Sequence, residues 1–141
     1  MLQNIRKNLV YVLPVVVVIM LIGLVLSRVY QPTGGGIPEP DIRIDASEAY
    51  QHIGRAAEVC GNVANAVFRQ EIGGEPTFIN LTNPHPNQEL TVVIWGNNRN
   101  KWPVPPEEYY TNQRICVVGV IEDHRGTPQI EVREPEQITI R

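Results

Sequence analysis

The chain has 141 residues, 12 prolines, 11 glycines, 43% hydrophobic residues and a formal net charge of −3. About a hundred residues remain once an apolar N-terminal stretch is set aside, which allows one small core and excludes two full domains. Arg6, Lys7 and Arg28 are three of the 12 basic residues, so from Thr33 onward nine Lys and Arg stand against all 15 Asp and Glu, a formal charge of about −6. That field opposes a polyanionic partner.

Leu9 to Ser27 runs 19 residues without a charge, about the length a helix needs to cross a bilayer. The apolar run exceeds a typical signal-peptide core, and VLSRVY lacks a small-x-small cleavage pattern, so an uncleaved anchor is expected. Pro14 near the end of such a span is tolerated. Arg6 and Lys7 precede it and Arg28 follows, a basic bias that puts the N-terminus in the cytoplasm and the remainder in the periplasm or outside the cell. The expected organisation is a cytoplasmic tail over 1–8, a single-pass cell-membrane anchor over 9–30, a linker over 31–44 and a folded domain over 45–141.

The linker mixes a glycine triplet with Pro-bearing flanks. DASEAYQHIG then reads as a short helix with Asp45 or Ser47 at its N-cap and Gly54 as its stop, with His52 on the surface. From Glu58 the hydrophobic period becomes two: EVCGNVANAVFR (58–69) alternates through Val59, Gly61 and Val63, and an IGGE turn returns the chain into PTFINLT (76–82) as a hairpin. LTVVIWG (90–96), dense in β-branched residues, is a third strand. PPEEYY then supplies a helical turn with early prolines and acidic residues near its start. RICVVGVIED and QIEV form a second hairpin across HRGTP, and EPEQITI extends the last strand or lies along its edge. Arg99 and Lys101 in GNNRNKW read as a solvated loop.

Five strands with a helical insertion between the third and fourth is the order of a mainly β, five-stranded OB-fold Greek-key barrel with short helices. The strings GRAAEVCGNV, TFINL, VVIWG, ICVVGVI and GTPQIEV resemble bacterial OB-fold domains related to the anticodon-binding, nucleic-acid-binding barrels. The resemblance spans residues 53 to 138 and does not reach the anchor. It implies a fold; the same barrel serves oligonucleotides, sugars, peptides and haem delivery, so no single function follows.

In that barrel the first strand runs antiparallel beside the fourth, which brings Cys60 and Cys116 onto neighbouring strands. Both have opposite parity to the apolar Val59, Val63, Ile115 and Val117 and share a face. A disulfide suits an oxidising compartment, and two buried free thiols are the alternative. No Cys-x-x-Cys is present, and His52, His85 and His124 lack ligand spacing, so neither a metal nor another cofactor is expected.

The serines are Ser27 and Ser47, neither in a nucleophile motif. The acidic pairs Glu107–Glu108 and Glu122–Asp123 read as solvated charges, so a non-enzyme is expected. The leading expectation is an anchored accessory or assembly subunit that binds a protein partner, with Trp102, Tyr109 and Tyr110 as the contact aromatics. A single-stranded nucleic-acid-binding domain at the cell surface is the first alternative, using Phe68, Phe78 and Trp95 to stack bases. A haem or small-ligand chaperone is the second. A short tail, one span and an external barrel are similar to the cytochrome c maturation haem chaperones, but nothing after His124 matches their haem-attaching His.

Overall fold

The computed structural model describes residues 36–141 and, before them, Val18 and Met20, both helical. Otherwise the expected tail, the membrane span and the first part of the linker lie outside the described residues. Among the described residues no helix is long and apolar enough to cross a membrane. Ile37–Arg141 forms a compact unit.

That unit is mainly β, as expected, with eight strands instead of five. β1 (Ile42–Asp45) and a 3-10 helix (Ala46–His52) precede the long β2 (Ala56–Phe68). β3 (Thr77–Leu81) and β4 (Leu90–Ile94) follow, then a 3-10 turn (Gly96–Lys101) and the helix α1 (Pro106–Tyr110). β5 (Arg114–Val120), β6 (Glu122–His124) and β7 (Thr127–Glu131) come next. A last 3-10 turn (Pro135–Gln137) leads into β8 (Ile138–Ile140).

β2 organises the sheet because it serves two neighbours along its length. Its first half pairs antiparallel with β5, and its second half pairs antiparallel with β3. β3 continues to β4, β4 runs parallel to β7, and β6 pairs with β7. β8 adds antiparallel to β5, while β1 lies parallel to β2 on the other side. Residues 42–44, which the sequence reads as the end of a linker, are therefore strand. The expected first-with-fourth pairing is the β2–β5 ladder, with Cys60 opposite Cys116.

Alternation along β2 changes phase at a register irregularity between Val63 and Asn65. Before it Ala57, Val59 and Val63 belong to the core; after it Ala66 packs inward. An extra residue in one strand shifts the side-chain period by one, as a β-bulge does, so Asn65 and Val67 face outward. The inward set is completed by Ile79 and Leu81 from β3, Leu90, Val92 and Ile94 from β4, Ile115 and Val117 from β5, and Ile130 from β7. Most are β-branched, as suits side chains packed on a pleated surface.

Gly119 sets how closely β5 approaches β7. A Cβ there would lie 2.4 Å from Ile130 Cγ2, so a side chain of any size is excluded by contact. At the β6–β7 hairpin, Arg125 and Gly126 both have positive φ, 54° and 86°. This is the signature of a two-residue turn matched to strand twist, and Asp123 Oδ1 accepts the Gly126 amide at 2.8 Å. The expected helix after Asp45 is 3-10, and Asp45 makes no side-chain cap bond; its carboxylate accepts from Arg114 at 3.0 Å instead.

Candidate functional site

The aromatic residues expected to form one contact surface are divided by the fold. Trp102 and Tyr110 are core residues, 6% and 2% exposed, and the indole Nε1 donates to the Tyr110 hydroxyl at 2.9 Å. Burial pushes the Tyr110 phenol above its ordinary value, with the Trp102 hydrogen bond opposing. Of the three, Tyr109 remains outside, 44% exposed, with its ring edge-on to Tyr110 at 5.0 Å. Two amphipathic rings beside prolines read in sequence as loop aromatics; here each finds its polar partner in the other and is buried. They do not offer a contact surface.

Phe68, Phe78 and Trp95 also do not share one face. Phe68 pairs with Thr77 in register and Phe78 with Val67, so the adjacent Thr77 and Phe78 place the two Phe rings on opposite sides of the sheet. Phe68 lies beneath Arg99, whose guanidinium carbon sits 3.7 Å from the ring centroid. Arg99 also makes a two-pronged pair with Glu107 at 2.7 and 3.0 Å and hydrogen-bonds to Thr77. Arg99 and Glu107, expected as solvated charges, thus tie α1 and the preceding turn to the sheet. The Arg99 hydrogen bond is the largest cause holding the Glu107 carboxyl below its ordinary range. Lys101 is likewise engaged, by Glu134 at 2.6 Å and the Arg133 carbonyl at 2.9 Å.

The face opposite the core carries a different set. Asn65, Asn80, Thr91 and Gln129 stand side by side in register across β2, β3, β4 and β7. Asn80 Nδ2 donates to Asn65 at 3.0 Å, Thr91 donates to Asn80 at 3.1 Å, and Gln88 donates to Thr91 at 3.1 Å. Two residues along, Val67, Phe78, Val93 and Glu131 form the parallel row. Trp95 follows Val93 by two and lines a groove with Glu131 and Arg133.

That groove has a volume of about 770 Å³, and the Gly74–Glu75 turn and Gly96 to Asn98 supply its other walls. Two glycines make its walls meet. A Cβ on Gly74, whose φ is +85°, would lie 3.0 Å from the Trp95 ring, and one on Gly96 would lie 2.9 Å from Glu75 Cβ. The Gly96 amide donates to the Gly74 carbonyl at 2.9 Å, locking turn to strand end. Glu75 itself has a positive φ of 48°. Arg133 Nε bonds Glu131 at 2.7 Å. That bond, followed by the charges of Glu131 and Glu122, raises the Arg133 pKa. The groove therefore holds one aromatic wall, two amides, two carboxylates and one guanidinium already engaged by a carboxylate. Of these residues only Trp95 is a candidate from the sequence. Gly74 lies in a turn that reads as a connector and Gly96 reads as the end of the third strand, and no spacing rule joins two glycines 22 positions apart.

Cys60 and Cys116 form a disulfide. It lies on the outer side of the β2–β5 seam, with both residues under 10% exposed. Glu58 is on the same side, its carboxylate bound by Arg43 and by Arg141 at 3.3 Å. The Glu58 oxygen and the two sulfurs lie within 4.8 Å of one another, but the sulfurs are bonded to each other and the carboxylate to guanidinium groups. These donors are not available to a metal in this state.

No family model matches the chain, and no curated protein matches it. Among solved structures, the chain is similar to one described as an aspartyl-tRNA synthetase from Leishmania major Friedlin. The identity is 12% and the TM-score 0.45, over 78% of this chain and 22% of that one. This chain thus spans about a fifth of that structure's length, and a likeness of that grade carries no argument here.

Proposed function

We propose that the chain is a membrane-anchored interaction module whose folded part is an OB-type barrel on the extracytoplasmic side, holding a protein partner as an accessory or assembly subunit. The barrel reading is supported by the β2–β5 ladder and the helical segment between β4 and β5, both expected of that fold, while the eight strands run as an open sheet from β6 to β8. The outside location is supported by the Cys60–Cys116 bridge, because such bonds persist in oxidising compartments. The anchor rests on the apolar run of Leu9 to Ser27.

The observation that carries the partner class is the charge of the face bearing Phe78 and Trp95. Glu75, Glu131 and Arg133 line the groove, and Glu122 stands opposite Gln129 on the same face. Three carboxylates against one guanidinium repel phosphate, so single-stranded nucleic acid, which the two aromatic rings would otherwise suit, is disfavoured. A polypeptide has no such penalty.

The test is a photocrosslinking residue placed at Phe78 in the full-length chain in its native membrane. A discrete protein adduct, lost when the residue is moved to the buried Ile79, is expected. No protein adduct, together with salt-sensitive binding of a single-stranded oligonucleotide, would overturn the reading.

A further inference from the structure

Resting on that reading and narrowing it, we infer that the Trp95 groove receives an extended, basic segment of the partner, with a Lys or Arg head group against the Trp95 ring among the carboxylates of Glu75 and Glu131. The groove is built before any ligand arrives. Gly74 and Gly96 allow a backbone approach that a Cβ at either position would block, and the Gly96–Gly74 hydrogen bond fixes it. A wall that needs no rearrangement spares the ordering cost of binding.

The side chains suit a cation. An indole face attracts Lys and Arg head groups, more strongly than the other aromatic rings do, and the same groove is lined by Glu75, which no described side chain engages, and by Glu131, which Arg133 shares. Arg133 shows the chemistry within the chain, since its guanidinium is held by Glu131 and feels Glu122 as well. Asn97 and Asn98 add amide donors and acceptors of the kind that engage an extended backbone. Beyond the groove, the net charge of about −6 from Thr33 onward draws a basic segment in by long-range attraction.

The experiment uses the full-length chain in micelles of a neutral detergent. A short unstructured peptide of alternating Lys and Ser is titrated in, with an alternating Glu and Ser peptide as counterpart. Affinity is read from the anisotropy of the labelled peptide, and the site from the Trp95 indole N–H resonance. The basic peptide is expected to bind and shift that resonance, and the acidic one to do neither. Trp95→Leu and Glu75→Lys should weaken binding about tenfold, while Trp95→Phe and Glu75→Asp stay within about threefold of the parent. Equal binding by Glu75→Lys, binding of the acidic peptide, or no response to either peptide overturns the inference. A protein crosslink at Phe78 without a peptide response would overturn the groove assignment and leave the module reading standing. A Trp95 response to oligodeoxythymidine would overturn the groove assignment and, with no protein adduct at Phe78, the module reading as well.

Discussion

Arg99 joins three elements through one side chain: the Phe68 ring of β2, the Thr77 hydroxyl of β3 and the Glu107 carboxylate of α1. The pair is mostly buried, with side chains 18% and 20% exposed, which places it between an exposed ion pair and a core one. Arg99→Met should destabilise the fold by about 2 kcal/mol, read from the urea midpoint at constant slope. It should also change the acid limb. Glu107 is held below its ordinary value of 4.5, chiefly by the Arg99 hydrogen bond. A carboxylate with a depressed folded-state pKa adds stability that is complete above its unfolded value and disappears as pH falls through the folded one. The parent should therefore lose more stability than Arg99→Met when pH is lowered from neutral through that range. Equal losses would show that the pair does not set the Glu107 titration. Tyr110→Phe tests the neighbouring contact. It leaves the Trp102 indole N–H without its acceptor in the core, at a cost of about 1–2 kcal/mol.

At the scale of elements, β5 is held by its ladders to β2 and β8 and by a packing seam against β7. The β2–β5 seam carries the Cys60–Cys116 bridge across a sequence separation of 56. Constraining a loop of that length in the unfolded chain is worth about 2–4 kcal/mol. Reduction should lower stability by that amount, and a Cys60→Ala/Cys116→Ala double variant should match the reduced parent and ignore reductant. At the β5–β7 seam, Gly119→Ala drives a methyl into Ile130 and should cost about 1–3 kcal/mol. Adding Ile130→Ala removes the atom it strikes, so the double variant should be more stable than the two separate losses predict. That coupling is readable as a double-mutant cycle. Simple additivity would mean that Gly119 does not set the spacing.

For the whole molecule, the central strands were legible because each shows an alternating or continuous β-branched run closed by turn residues. The turn at Gly126 was legible, but the single strand expected over RICVVGVIED divides: β5 pairs with β2 and β8, and only the short β6 pairs with β7, across Arg125 and Gly126. The antiparallel meeting of Cys60 and Cys116 followed from assuming one barrel order. β1 was not legible: IRID is four residues long, sits against a proline-rich segment, and becomes a strand through its parallel ladder to β2. The phase change between Val63 and Asn65 escaped a period-two reading because a bulge leaves no composition signature. Trp102 and Tyr110 were misplaced because local sequence does not reveal that their polar atoms satisfy each other. The groove needs Gly74, Trp95 and Glu131 together, and only the folded sheet brings those three stretches to one place. The expected topology is tested at this same scale. A cysteine introduced at the exposed Glu108 in intact cells should react with a membrane-impermeant maleimide, while one at Asn4 should react only after lysis. The reverse pattern would move residues 37–141 to the cytoplasm.

The parallel pairing of Ile42–Asp45 with Ala57–Cys60 also has a mechanical consequence. Tension arriving from the N-terminal side along the axis of β1 loads its ladder in shear, stretching several bonds together instead of peeling them singly. A chain pulled from that side would therefore yield less readily than one pulled by a loop end.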